Sequence, residues 1–192
     1  MEALSVYITD RMVLKGIISE EDKVFYDYSV LVLLEKIIGI SLILLAAAIS
    51  SHLLEISAFL AVFTLIRRYS DGVHCKTSSG CFCASVLVSL STIIFVWLVP
   101  GICAIWIGGD IAAMIILCKI ATIPHSDMNL TEEELCRLKY KSRISTLLIG
   151  CTVILLLLIP FTKKISSYMT LGIIYNALGL MIIKLRRKEG KP

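Results

Sequence analysis

The stretch "ISTLLIGCTVILLLLIPFTKKISSYMTLGIIYNALGLMII", residues 144–183, places two long apolar runs on either side of a pair of lysines. Neither run contains an acidic or basic side chain, and each approaches the roughly 20 residues that a helix needs to cross about 30 Å of hydrocarbon. The connector between them is so short that the second helix has to turn back along the first. The stretch therefore predicts a hairpin of two membrane helices.

The rest of the chain has the same character. It is 57% hydrophobic and 18% charged, with a mean hydropathy of +0.87, which excludes an ordinary soluble domain. Four shorter apolar segments lie at 37–51, 53–66, 82–99 and 102–118. Together with the two longer runs, these four segments are consistent either with six full spans or with four spans plus re-entrant hairpins. We predict an all-α, polytopic membrane bundle that forms one domain over 1–192, with an amphipathic region at 1–30 and the transmembrane bundle at 31–192.

The basic residues predict the orientation of this bundle. On a model of three helical hairpins, 17 of the 19 lysines and arginines fall on one side of the membrane. By the positive-inside rule that side is cytoplasmic, and the polar stretch "RRYSDGVHCKTSSGC", residues 67–81, faces the cytosol. The net charge of +4 is explained by these membrane flanks, so it gives no support for nucleic-acid binding.

Two short patterns predict where helices begin outside the apolar runs. Residues 1–27 are loosely amphipathic, which fits a helix in the headgroup region and a packed cytosolic helix equally well. Ser19 with Asp22, and Thr131 with Glu134, resemble capping boxes that start helices leading towards the membrane.

His74 and Cys81 are the candidate catalytic pair of the polar stretch. A thiol with a pKa of about 8.5 is mostly protonated at neutral pH, so it needs a base such as an imidazole beside it. A helix starting near Phe82, capped by Ser78 or Ser79, would place Cys81 in its first turn, where backbone dipoles favour a thiolate. One straight helix would separate the pair by roughly 10 Å. The segment must therefore fold back.

The same stretch allows other interpretations of its arginines, histidine and cysteines. Arg67 and Arg68 fit a simple topological flank as well as a site that holds an acidic substrate. A zinc site built from His74, Cys75, Cys81 and Cys83 disagrees with the common ligand spacings, so we expect neither metal nor cofactor. Seven cysteines, an odd number beside membrane segments, argue against a disulfide framework.

The stretch "LIRRYSDGVHCKTSSGC" resembles the motif of the accessory gene regulator B (AgrB) family, membrane cysteine endopeptidases of Gram-positive quorum sensing. The shared elements are the pair Arg67 and Arg68, then Gly72, His74 and Cys81. The resemblance continues through Pro100, a basic stretch at 137–143 and "LGIIYNALGL" in the last segment. This chain departs from the usual pattern at Asp71 and Cys75. Asp71 is either a third catalytic member or a turn residue, and the Asp-Gly dipeptide favours the turn.

The resemblance implies a reaction and its partners. Cys81, activated by His74, would cleave the acidic tail from an AgrD-like precursor peptide and pass the acyl group to a nucleophile within that peptide. The basic residues Arg137, Lys139 and Lys141 would attract the tail or anionic lipid, although topological flanking explains them at least as well. The family also implies a homodimer in the cell membrane of a Gram-positive bacterium, with its active site at the cytoplasmic face.

A second hypothesis comes from another class of protein. A small membrane transporter or peptide exporter without peptidase activity would use His52, Glu55 and Asp110 along a path. Together with Glu35, these residues lie near predicted segment ends, where access to water is the simpler explanation.

Overall fold

The chain forms a bundle of α-helices. The computed structural model describes residues 2–70, 78–98, 103–121 and 131–188, with their side chains except those of 78–85, 97 and 186–188. Seven helices lie within these ranges, and no strand does: α1 Glu2–Leu14, α2 Lys23–Ile49, α3 Leu53–Ser70, α4 Ser78–Leu98, α5 Cys103–Ile120, α6 Glu132–Leu157 and α7 Lys163–Lys188. The prediction of an all-α membrane bundle is confirmed.

Four of these helices are long and apolar enough to cross a membrane by length and composition: α2, α5, α6 and residues Lys163–Leu185 of α7. The hairpin predicted at 144–183 corresponds to the inner parts of α6 and α7. In α2 the helix begins at Lys23, well before the apolar run at 37, and continues through Glu35 and Lys36. Glutamate and lysine are good helix formers, so a charged pair interrupts the apolar pattern without ending the helix.

The helix connections divide the bundle into two ends. At the turn end, α2 passes into α3 through 50–52, and α6 passes into α7 through 158–162. The Cys103 thiol at the start of α5 donates to the Leu157 carbonyl oxygen at 3.4 Å, which places α5 beside the same end of α6. The opposite end, which we call the loop end, holds the last residues of α3 and α5 and the first residues of α4 and α6.

The two predicted helix starts have different outcomes. Thr131 caps α6 in a complete capping box, in which its hydroxyl oxygen accepts from the Glu134 amide and the Glu134 carboxylate accepts from the Thr131 amide. Ser19 also pairs with Asp22, at 2.6 Å between the side-chain oxygens. However, α2 begins after Asp22, so this pair stabilises the turn that precedes the helix.

Several small polar side chains lie inside the bundle beside its apolar core, and many leucines lie outside. Thr92, Thr146 and Ser166 are at most 1% exposed, whereas Leu87, Leu148 and Leu155 are at least 64% exposed. This pattern suits a hydrocarbon environment, where outward leucines are solvated by lipid and small or hydroxylated residues allow helices to approach. Several interior hydroxyls bond to carbonyls of their own helix, such as Thr92 to the Ser89 oxygen at 2.6 Å. Their hydrogen-bonding capacity is thus met without water.

Helix α7 is the centre of the bundle, since it packs against α3, α4, α5 and α6. Its closest approach to α3 occurs at Gly172, where an added Cβ would lie 3.2 Å from the Phe59 carbonyl oxygen and 3.4 Å from the Phe63 nitrogen. The missing side chain lets the two backbones touch directly. Phe59, Ile173 and Tyr168 around this contact are all buried.

Gly172→Ala should lower the free energy of unfolding by about 1 kcal/mol or more, because the backbone of α3 must move to admit the methyl group. Gly108→Ala is the matched control, since a Cβ at Gly108 meets nothing within 4 Å. The control should be neutral or slightly stabilising, because alanine is the better helix former. Thermal unfolding of both variants in detergent micelles measures the difference. Equal stability of the two variants would contradict the close contact.

Candidate active site

The candidate site lies at the loop end, where residues 71–77 connect α3 to α4. Asp71, Gly72 and His74 belong to this connection and lie outside the described residues. Cys81 is the fourth residue of α4, in its first turn, although its side chain lies outside the described set. The helix begins at Ser78, earlier than predicted, so Ser78 and Ser79 lie within the first turn and do not precede it.

The arginine pair ends α3. Arg67 and Arg68 lie in its last turn, where the partial negative charge of the helix terminus favours cations. The Arg67 guanidinium carbon is 5.7 Å from the centroid of the Phe63 ring, and that of Arg68 is 5.9 Å from the Tyr69 ring. Such contacts with aromatic faces restrict long side chains while leaving their charge in place. The pair therefore presents positive charge where the chain leaves α3.

The basic residues of α6 extend past the end of α5. The Ser142 hydroxyl donates to the Ala121 carbonyl oxygen at 3.3 Å, and the Arg143 Nε donates to the Cys118 carbonyl oxygen at 3.0 Å. These bonds fix the end of α5 beside residue 142, so residues 132–141 project beyond it by roughly 15 Å at the rise of an α-helix. The predicted residues Arg137, Lys139 and Lys141 lie on this projection, and Arg137 and Lys141 are exposed.

Helix α2 projects in the same direction. It has 27 residues against 18 in α3. Because α2 ends and α3 begins at one tight turn, the two helices run back from the same level. The first two or three turns of α2 therefore extend roughly 13 Å past the end of α3. The ends of α3 and α5 and the start of α4 are therefore set back relative to α2 and α6.

Helix α1 packs against the projecting part of α2 through polar contacts. Lys23 pairs with Asp10 at 2.6 Å, and the Thr9 hydroxyl donates to the Asp27 carboxylate. Thr9 is fully buried and Ser5 nearly so. This region is therefore a helix packed against α2, and its location in the headgroup region or in the cytosol stays a prediction.

A polar cluster lies at the opposite, turn end of the bundle. The Lys164 ammonium is 2.6 Å from the Glu55 carboxylate, and the His52 Nδ1 is 3.9 Å from the same carboxylate. The His52 ring also lies beside that of Tyr168, with centroids 6.1 Å apart. Glu55 and Lys164 balance each other in charge and join α3 to α7. This ion pair explains the presence of a glutamate at position 55, so no transport path is needed to account for it.

Asp110 is the least expected acidic residue. It lies seven residues inside α5 and is 0% exposed, so the expectation of a water-accessible helix end is wrong for this position. Its carboxyl oxygens make no hydrogen bond to any residue that the structure describes. The Thr170 hydroxyl on α7 lies close enough to interact with the carboxyl, and this hydroxyl also lacks an ordinary hydrogen bond within the described ranges. Among the described residues, no cationic side chain forms an ion pair with this carboxyl group.

Asp110→Asn should leave the apparent melting temperature unchanged or raise it, because asparagine keeps the shape and removes an acidic group from apolar surroundings. Peptide processing should also be retained. Thermal unfolding in micelles and a processing assay measure these two outcomes. A loss of processing with intact folding would contradict this expectation and would show that the reaction needs the carboxyl group of Asp110.

The residues that sequence reasoning missed are on α7. Tyr175 and Asn176 lie within "LGIIYNALGL", which the sequence singles out only through the family resemblance. In the structure each makes a side-chain hydrogen bond to another helix, Tyr175 to α4 and Asn176 to α3. A polar amide inside an apolar run is a signal for such a contact, but it does not identify the partner.

Comparison with known proteins identifies the family. The family model described as "Accessory gene regulator B" (AgrB) matches residues 4–184. Neither the curated proteins nor the solved structures gave a significant match to the chain. The match extends from α1 to residue 184 of α7 and includes the arginine pair, the connection between α3 and α4, and the basic part of α6. The chain therefore belongs to the accessory gene regulator B family, which takes part in the processing of quorum-sensing peptides.

Proposed function

We propose that this protein is a membrane cysteine endopeptidase that removes the C-terminal tail of an AgrD-like precursor and promotes closure of a thiolactone or lactone ring. The observation that carries the proposal is the family match over residues 4–184, combined with a cysteine in the first turn of α4. The site then lies at the cytoplasmic face of a Gram-positive cell membrane. The homodimer implied by the family is part of the same proposal.

Chain length supports the pairing of His74 with Cys81. His74 is four residues from Ser70 and four from Ser78. Four residues span at most about 14 Å, which is less than half of the 30 Å of a hydrocarbon core. His74 therefore belongs to the same end of the bundle as Cys81. Gly72, which tolerates unusual backbone angles, lies two residues before His74 and allows the connection to fold back onto α4.

The reaction proceeds in two acyl transfers. His74 accepts the proton of the Cys81 thiol, and the sulfur attacks the carbonyl carbon of the peptide bond before the tail. That bond breaks when His74 gives the proton to the departing amine, which leaves an acyl-enzyme thioester and a free tail. A thiol or hydroxyl within the bound peptide then attacks the thioester carbonyl. The ring closes, and the Cys81 sulfur leaves with the proton of the attacking group.

The surroundings favour ring closure over hydrolysis. The candidate site begins where α4 enters the apolar bundle, and a site with little water protects a thioester while it holds the internal nucleophile at high effective concentration. Arg67 and Arg68 at the end of α3 would bind a carboxylate near the thiol. Arg137, Lys139 and Lys141 on the projecting part of α6 would attract the acidic tail as it approaches.

Co-expression with a candidate precursor tests the proposal. The natural candidate is a short open reading frame beside this gene that encodes an amphipathic leader and an acidic tail. Mass spectrometry should find the free tail and a peptide that is lighter than the precursor by the mass of that tail, which is one water less than the linear product of hydrolysis. An intact precursor in the presence of the folded protein would argue against the proposed activity.

A further inference from the structure

We propose that Tyr175 and Asn176, neighbours on α7, are positioning residues that fix α3 and α4 relative to each other and so bring His74 to Cys81. This inference rests on the proposed function. The two helices flank the connection that carries the candidate pair. Seven connecting residues, two of them a Gly-containing turn dipeptide, cannot by themselves hold two side chains at hydrogen-bonding distance.

Asn176 holds the end of α3. It is 6% exposed, and its Nδ2 donates to the Phe63 carbonyl oxygen on α3 at 3.1 Å and to the Gly172 carbonyl oxygen at 2.8 Å. Phe63 lies one helical turn before Arg67, whose guanidinium lies against the Phe63 ring. The amide thus attaches α7 to the last part of α3 before the chain enters the candidate site.

Tyr175 joins α4 and α3. Its hydroxyl shares a hydrogen bond with the Ser91 hydroxyl on α4, at 2.5 Å between the oxygens. Its ring meets the Phe59 ring of α3 edge to face, with centroids 6.2 Å apart. Ser91 is on the same continuous helix as Cys81, roughly 15 Å away at an α-helical rise. A shift or rotation of α4 at Ser91 is therefore transmitted to the first turn.

Together, the contact of Asn176 with α3 and that of Tyr175 with α4 determine where each of these helices lies along the bundle axis and how it is rotated about its own axis. Gly172 allows the backbones of α3 and α7 to touch, so the side chain of Asn176, one turn further on, reaches the α3 carbonyl. Inside a bilayer, water is not available to replace either hydrogen bond once it is lost. A displacement of about 1 Å between catalytic groups costs on the order of a hundredfold in rate. Small shifts of α3 or α4 are thus expected to lower the rate of the chemical step.

Three substitutions test this role: Tyr175→Phe and Ser91→Ala, which remove the same hydrogen bond from opposite sides, and Asn176→Leu. The control is Thr64→Val on α3, because the Thr64 hydroxyl bonds only to carbonyls of its own helix among the described residues. Kinetics with the precursor in proteoliposomes give kcat and KM. Peptide-resolved mass spectrometry of iodoacetamide labelling gives the rate of Cys81 alkylation as a function of pH.

We expect kcat to fall about tenfold or more in the three variants, with KM within about twofold and the pH midpoint of Cys81 alkylation shifted towards that of a free thiol. Tyr175→Phe combined with Ser91→Ala should cost no more than either alone, because both remove one bond. Thr64→Val should behave like the unmodified protein. Wild-type kcat and an unchanged alkylation midpoint in the variants would overturn the inference.

Two further outcomes separate this inference from the proposed function. If Cys81→Ala still processes the precursor, the proposed function fails, and the positioning role fails with it. If Cys81→Ala is inactive but the three variants lose activity only in proportion to the loss of folded protein, with the Cys81 midpoint unchanged, then the positioning role alone is wrong.

Discussion

Cys81→Ala abolishes removal of the precursor tail in our account, with a fall in rate on the order of a thousandfold or more. The reason is that no other group forms the thioester on which both acyl transfers depend. Cys81→Ser should also lose most activity, because a hydroxyl is far less acidic than a thiol and the same imidazole deprotonates it less readily. Mass spectrometry of the precursor in proteoliposomes measures the remaining cleavage.

Cys83→Ala is the matched control for this experiment. It removes a thiol from the same helix two residues further on, and should process the precursor at the normal rate. Export of the intact peptide that survives Cys81→Ala, with no tail released by any variant, would point instead to the transporter hypothesis. Loss of cleavage in both cysteine variants would indicate that the helix, and not one sulfur, is sensitive to substitution.

His74→Ala should lower the rate of cleavage at neutral pH by about two to four orders of magnitude, the usual contribution of a general base. The pH dependence of the cleavage rate is a more specific test of His74 as the base than the fall in rate alone. Without the imidazole, the fraction of thiolate depends on the thiol alone, with a pKa of about 8.5. Part of the activity should therefore return as the pH is raised from 7 to 9, where the unmodified protein gains less.

His52→Ala is the control for the histidine experiment. His52 lies at the turn end beside Glu55 and Tyr168, at the opposite end of the bundle from the candidate site. Its loss should leave both the rate and the pH profile of cleavage unchanged. A His74→Ala variant with the wild-type pH profile would contradict the role of His74 as the base. The pH series of cleavage rates, measured at saturating precursor, separates the two results.

Much of the fold follows from local sequence patterns. The apolar runs of α6 and α7 are long, uncharged and joined by a short connector, so they predict the hairpin directly. Thr131 and Glu134 identify the start of α6 because a capping box depends only on neighbouring residues. Ser19 and Asp22 predicted a helix start close to Lys23, where α2 begins; the one uninterrupted helix that continues through Glu35 and Lys36 into the apolar run is known from the structure.

The packing of the helices could not be read from the sequence in the same way. Gly172 against Phe59, and Asn176 against Phe63, are contacts between residues more than 100 positions apart. An apolar helix presents similar side chains on every face, so its pattern does not select a neighbour. Asp110 illustrates the limit, since its distance from water depends on how α5 packs against α7.

The candidate site likewise combines features that the sequence predicts with features that only the structure shows. The residue types, the spacing between His74 and Cys81 and the family motif predict the chemistry from the sequence. Tyr175 and Asn176 need the structure, because their role consists of contacts with α4 and α3. The position of the α5 end relative to the projecting part of α6 likewise needs the structure, because it depends on the bonds from Ser142 and Arg143 to α5.

The most direct test is to trap the acyl-enzyme. A precursor whose ring-forming cysteine or serine is replaced by alanine can acylate the protein but cannot close the ring. Intact-protein mass spectrometry should then detect the protein with the tail-less peptide attached, through a bond that hydroxylamine cleaves and that maps to Cys81. Release of the tail without any adduct at Cys81, or with an adduct at another residue, would contradict the account.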